Sequence, residues 1–427
     1  MREMKHSGIE WIGEIPKDWD KGHLKYYTQI KTGGTPSTSN QVWFDGDVLW
    51  FTPGDFDNIL LNDSKRKLSN LAVLFRVANL FPANTTMIVG IGGTAGKVGY
   101  TIKESYCNQQ ITALINKSNT YPKYITYLMF CFSDVLKDNA LYTTLPILNN
   151  QFIGNFSICI PKKLSEQRKI ADYLDTKCSE IDATAEDIKK EISLLEDYKT
   201  SVITEAVTKG LNPDVEMKDS GIEYIGITPI HWNKYRLKYI LLERNIRTIT
   251  GEEMLLSVSQ YKGVVPSKDI YNRTMQANSL IGYKIVKKDD LVFNKLNPGL
   301  ARFGNSEFDG ITSPDFSVYI VDDKKCTAKF LQHLLKTYKY VAKIKGDCTG
   351  VGDGFARLYS EQLYRFVVSL PPIEELHSIV AYIDSKCSEI DTLIADKKRQ
   401  LDILADYKKS LIYEYVTGKK EVPVKDF

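Results

Sequence analysis

The chain has 427 residues, 43% of them hydrophobic and 26% charged, ordinary values for a soluble protein with room for two or three domains. Its seven cysteines include no CxxC pair and its five scattered histidines no HExxH, which argues against a disulfide framework, a zinc ribbon and any metal site. The net charge of +3 hides an alternation: residues 21–160 carry 12 basic against 8 acidic side chains and residues 233–370 carry 22 against 14, whereas residues 161–210 and 371–420 are slightly acidic.

A polyanion would meet the two basic segments, and the acidic ones serve another purpose. Residues 1–20 are charged throughout, and no apolar run reaches the roughly 18 residues of a membrane span. We therefore expect a soluble, cytoplasmic protein with no membrane partner.

The first element in chain order is also the first half of a repeat. Met4-Lys5-His6-Ser7-Gly8-Ile9-Glu10-Trp11-Ile12-Gly13 returns 213 residues later as Met217-Lys218-Asp219-Ser220-Gly221-Ile222-Glu223-Tyr224-Ile225-Gly226. Pro16, Trp19 and Leu24-Lys25-Tyr26 recur at the same offset as Pro229, Trp232 and Leu237-Lys238-Tyr239.

A first insert follows, residues 28–155. It holds Lys31-Thr32-Gly33-Gly34-Thr35-Pro36-Ser37 and then residues 85–100, which read as strand, glycine turn, strand. The glycine turn is no nucleotide loop. Lys97 is followed by Val98, Ile91 stands where GxxxxGK[ST] needs glycine, and Ala95 stands at the third glycine of GxGxxG. No cofactor is expected.

Residues 161–210 begin with proline, end with glycine and contain neither between, as a helix would. Ile170, Leu174, Cys178, Ile181, Ala185, Ile188, Ile192, Leu195, Tyr198 and Val202 fall at steps of three or four, a heptad-like stripe. A helix of this length spans about 70 Å. Residues 371–420 repeat the pattern, with Lys397 where an apolar step would fall. Lys177-Cys178-Ser179-Glu180-Ile181-Asp182 and Asp197-Tyr198-Lys199 reappear 209 residues later as Lys386-Cys387-Ser388-Glu389-Ile390-Asp391 and Asp406-Tyr407-Lys408. The natural partner of one stripe is the other, which makes Cys178 and Cys387 packing residues rather than nucleophiles.

The second insert, residues 240–366, shares little sequence with the first. Residues 290–304 form an analogous hairpin, and residues 349–357 a glycine-rich loop to which Lys343, Lys345 and Arg357 lend a phosphate-facing character. Asn297-Pro298-Gly299-Leu300 lacks the second proline and the aromatic residue of the Asn-Pro-Pro-aromatic motif of amino-methyltransferases. We assign no catalytic residue. Base edges are read by Arg, Lys, Asn, Gln, Ser and Thr, while phosphate contacts position the reader. The candidates for DNA contact are Lys31, Thr32, Gly33, Gly34, Thr35, Ser37 and Lys97 in the first insert, and Ser259, Gln260, Tyr261, Lys262, Lys295, Asn297, Arg302 and Arg357 in the second.

Each half is thus a fixed frame around a variable insert. Together the MKxSGxEWIGxIPxxW repeat, GGTPS in the first insert, and IPKKLSEQRKIADYLD leading into the central helix resemble the specificity subunits of type I restriction-modification systems. The resemblance implies a mixed α/β (α+β) fold in which two target recognition domains alternate with two long helices. The helices would pair as an antiparallel coiled coil, in a pseudo-two-fold tandem repeat. The implied segments are recognition domains at 1–160 and 211–370 and spacer helices at 161–210 and 371–420. It further implies a non-catalytic reader of a bipartite, asymmetric site in double-stranded DNA, docked to two methyltransferase subunits and to restriction-translocase subunits. Two departures stand out: the second insert lacks GGTPS, and Glu374-Glu375-Leu376 replaces the Glu-Gln pair seen at Glu166-Gln167. An enzyme acting alone would need a cofactor loop and a catalytic motif. A coiled-coil scaffold for protein partners would leave the two basic inserts without a role.

Overall fold

The computed structural model describes residues 2–142, 145–260, 263–270, 279–296, 298–349 and 356–423. The chain divides into two units, Met1–Lys189 with Lys398–Phe427, and Lys190–Lys397. The division falls inside both long helices, whereas the segments expected from sequence end where the helices end.

The first unit contributes β1 (Asp20–His23), β2 (Thr28–Thr32), β3 (Thr85–Val89), β4 (Val98–Thr101), β5 (Ile111–Asn116) and β6 (Ser157–Ile160), followed by helix α1 (Leu164–Lys209). Strands β2 to β5 form an antiparallel sheet in the order β2-β5-β3-β4, and β1 pairs with β6, closing the insert where it began. All of β3 and β4 is buried, and the hydroxyls of Thr85 and Thr101 are satisfied by the carbonyls of Pro82 and Lys103. Helix Pro122–Cys131, started by its proline, covers them with Tyr124, Ile125, Leu128 and Met129, and the hydroxyls of Thr86 and Thr126 meet at 2.8 Å. A second small sheet orders Lys67–Leu68, Phe44–Phe51, Ser105–Cys107 and Leu80–Phe81, with its central pair parallel.

The second unit contributes β7 (Asn233–Arg236), β8 (Leu241–Glu243), β9 (Leu291–Asn294), β10 (Phe303–Asn305), β11 (Phe316–Val321) and β12 (Val367–Leu370), followed by helix α2 (Ile373–Val416). Its sheet runs β8-β11-β9-β10, and β7 pairs with β12. This is the order of the first unit, strand for strand, although the sequences diverge. The hairpins read from sequence at 85–100 and 290–304 are β3–β4 and β9–β10, in equivalent places.

The first repeat builds the same turn twice. Ser7 and Ser220 accept hydrogen bonds from the amides of Ile9 and Ile222 at 3.1 and 3.2 Å. Gly8, Gly13, Gly221 and Gly226 all lie at φ near +70°, where a side chain would be strained. The turn buries Trp19 and Trp232, whose indole N–H groups donate to Glu166 (3.1 Å) and Glu375 (3.2 Å) in the first turns of α1 and α2. The Glu-Glu-Leu departure is thereby explained. Glu375 keeps the tryptophan contact, while buried Leu376 packs in an apolar core where buried Gln167 bonds the Tyr121 amide and the Pro161 carbonyl.

The second repeat supplies inter-helix contacts, and α1 and α2 run antiparallel. In the first unit Lys408 binds Asp182 at 2.6 Å; in the second Lys199 binds Asp391 at 2.6 Å and Lys397 binds Glu191 at 2.5 Å. Lys397, which interrupts the apolar stripe, is therefore half of an ion pair. Tyr198 and Tyr407, expected on the stripe, are each 55% exposed. Cys178 is buried, and burial pushes its thiol up to about 11, out of the nucleophilic range. Gly210 and Gly418 follow the helices at φ +80° and +71°. Among the described residues no helix is long and apolar enough to cross a membrane.

Candidate nucleic-acid interface

The loop after β2 is tied down by its own backbone. Gly33 and Gly34 donate their amides to the carbonyls of Ile111 (2.9 Å) and Cys107 (2.8 Å), and the Gly34 carbonyl accepts from the Trp50 indole at 3.1 Å. A Cβ on Gly33 would stand 2.3 Å from two backbone oxygens, so its glycine serves this packing. Thr32 exchanges hydrogen bonds with Asn150, Ser37 meets Ser39 at 2.8 Å, and Lys31 is exposed on β2. Thr35 is placed differently: its hydroxyl is buried with no hydrogen-bond partner among the described residues.

Thr35 lines a wide depression of about 540 Å³. Its other walls are Trp50 and Thr52 at the end of the Phe44–Phe51 strand, Arg66, the β3–β4 turn at Gly92-Gly93-Thr94, and Asn108-Gln109-Gln110 before β5. Among the described residues no carboxylate lines it. Nearby Asp55 is engaged by the amide and hydroxyl of Thr52 at 2.7 and 2.8 Å. The Arg66 guanidinium lies 4.3 Å from the centre of the Phe44 ring and 5.5 Å from that of Trp50. Lys97 lies outside the lining, its amine bound to the Phe56 carbonyl at 3.0 Å.

In the second unit, Leu296 and Thr349 both bridge to Arg357, which joins the β9–β10 turn to the loop before β12. Exposed Arg357 is thus brought near half-buried Lys295, whose amine is 4.0 Å from Glu243. Burial first, then repulsion from Lys284 and Arg357, lowers the Lys295 pKa against the attraction of Glu243. Arg302 is exposed on the same turn. Ser259 and Gln260 end the Leu256–Ser259 strand, where Lys336 donates to the Gln260 carbonyl at 3.1 Å. Tyr261, Lys262 and Asn297 lie outside the described residues, as does most of the 349–357 loop. Lys343 is committed to Asp347 at 2.7 Å, and the stem of Lys345 packs against Gly299. Among the described residues no three His, Cys, Asp or Glu side chains cluster as a metal centre requires.

Sequence reasoning missed Arg66, Thr94 and the Asn108-Gln109-Gln110 run. The available signals were an amide triplet between two apolar strands and, far earlier in the chain, the basic run Lys65-Arg66-Lys67. A guanidinium, carboxamides and hydroxyls around one concavity, with no carboxylate among the described residues of its lining, offer the donors and acceptors that match base edges.

Residues 16–194 match the family model described as the type I restriction modification DNA specificity domain. The chain is 31% identical over 190 residues to the type I restriction enzyme MjaIX specificity subunit of Methanocaldococcus jannaschii, an alignment covering 43% of each chain. It is 26% identical over 228 residues to the EcoR124I/EcoR124II specificity subunit of Escherichia coli, covering 52% of this chain and 48% of the relative. These two alignments therefore span less than half of the relatives' length. The MjaVIII specificity subunit of M. jannaschii aligns over 96% of this chain and 94% of its own, at 21% identity. Among solved structures, a chain from a study of complex assembly and conformational transition in the type I R-M system superposes at a TM-score of 0.68, with 13% identity, covering 95% of this chain and 99% of that one. The HsdS subunit of Thermoanaerobacter tengcongensis superposes at 0.51, with 13% identity, covering 95% and 98%. These structural likenesses carry the fold.

Proposed function

We propose that the chain is a member of the type I restriction-modification specificity family and a non-catalytic reader of a bipartite, asymmetric target in double-stranded DNA, a reading supported by the match to the specificity-domain family and the similarity to specificity subunits. The recognition domains at 1–160 and 211–370 each read one half of the target. The paired helices hold them and dock two methyltransferase subunits, which the restriction-translocase subunits join. One observation carries this reading: two inserts of divergent sequence share one sheet order, each closed by a strand pair leading into a long helix. Like folds with unlike loops are what two readers of different short sequences need.

The candidate contacts follow from this. Lys31, Thr35 and Ser37 in the first domain, and Ser259, Gln260, Lys295, Arg302 and Arg357 in the second, serve the duplex directly. Thr32, Gly33 and Gly34 shape the loop that carries them. Replacing residues 240–366 by the insert of a relative tests the division of labour. We expect the methylated motif to change in one half and keep the other. A motif changed in both halves, or in neither, contradicts it.

A further inference from the structure

We propose that Arg66 and Gln109 determine specificity in the first unit, Arg66 reading a guanine and Gln109 a nearby adenine of one half-target. The proposal rests on the DNA-reading function above and deepens it. Arg66 is exposed, yet its guanidinium carbon lies 4.3 Å from the centre of the Phe44 ring and 5.5 Å from that of Trp50. Its N–H groups have no hydrogen-bond partner among the described residues, and no carboxylate shares the depression to neutralise them. A guanidinium held beside two aromatic rings gives up less freedom on binding than a free cation does. Its donor fork matches the two acceptors of a guanine edge, and the carboxamides and hydroxyls around it are groups that read bases.

Gln109 is the complementary half of the argument. Of the three amides in the run, Asn108 donates to the Gln110 carboxamide oxygen at 3.0 Å and accepts from the Gln110 backbone amide at 3.1 Å. The Gln109 carboxamide is exposed and unbonded among the described residues, with a donor and an acceptor to offer an adenine. Across the depression, Gly92 lies at φ +106° and an added Cβ on Gly93 would meet nothing within 4 Å, so the turn leaves room for a bulky duplex.

The test co-expresses the chain with its own methyltransferase subunit in a host lacking adenine methylation and maps the methylated adenines. In R66A and R66K we expect one guanine of one half-target to relax to any base, with discrimination there falling about 10- to 100-fold and every other position intact. Q109L relaxes an adenine in the same half, and its exposed position guards against a folding failure in the Arg66 variants. A wild-type motif in R66K, or uniform loss of methylation with the motif unaltered in folded R66A, overturns the assignment in favour of a phosphate contact. Absence of any divided motif with the unaltered chain overturns instead the reading on which the proposal rests.

Discussion

Lys336 shows how a single residue in the frame of the second unit can be tested. Burial lowers its ammonium to about 8, well below the ordinary lysine value, while its amine bonds the Gln260 carbonyl. Between pH 8 and the unfolded value near 10.4, the unfolded chain binds more protons than the folded one, so this group makes stability rise with pH. The gain is complete above the unfolded value and absent below pH 8. We predict that K336M removes that rise, and chemical unfolding at pH 7.5 and 9.5 checks it; an unchanged difference between the two pH values counts against the burial. In the first unit, Leu174 is fully buried, and L174A is expected to lose about 2–5 kcal/mol by denaturant unfolding. The residue scale is also where sequence was least legible. Thr35 was readable as a candidate because its loop is rich in glycine and hydroxyls. Arg66 and Gln109 were not, since the chain brings residues 35, 66, 92 and 109 together only once two sheets are formed.

The long helices were legible almost to the residue, because proline, glycine and an apolar stripe are local signals. The hairpins at 85–100 and 290–304 were too, since each is an apolar run interrupted by glycine. What local pattern could not reveal was the pairing chemistry. Tyr198 and Tyr407 fit the stripe by spacing, yet the adjacent Lys199 and Lys408 face the partner helix and reach Asp391 and Asp182. These four residues belong to the duplicated segments, so each copy supplies the acid for the other copy's base. We predict that D182K costs about 1 kcal/mol or less, as befits a pair whose aspartate is mostly exposed, and that adding K408D restores it. A double variant no more stable than the single one would assign Lys408 another role. Matched insertions of one heptad, between Asp182 and Glu191 in α1 and between Lys397 and Lys408 in α2, are expected to leave the three ion pairs in register. Under the proposed function, they lengthen the unread spacer by about 10 Å, or about three base pairs, without altering either half-target. An unchanged spacer contradicts that role.

At the scale of the whole molecule, the duplication is the feature from which the rest follows. It was visible in the sequence as two repeats in the same order, and it reappears as two sheets of the same strand order, each flanked by the same tryptophan-glutamate contact. The shared sheet order of the inserts was hidden, because buried strands constrain residue size and polarity rather than identity, and surface loops scarcely constrain either. The alternation of charge has its place in this scheme. The basic excess falls in the inserts, and the acidic balance falls in the helices, whose charges are partly spent on each other. Under the proposed function, this chain chooses where DNA is methylated. Deleting its gene and mapping methylated adenines across the genome, beside the parent strain, tests it most directly. We predict that one motif with two unlike halves at fixed separation loses its methylation; an unchanged map in a strain whose parent expresses the chain would contradict the account.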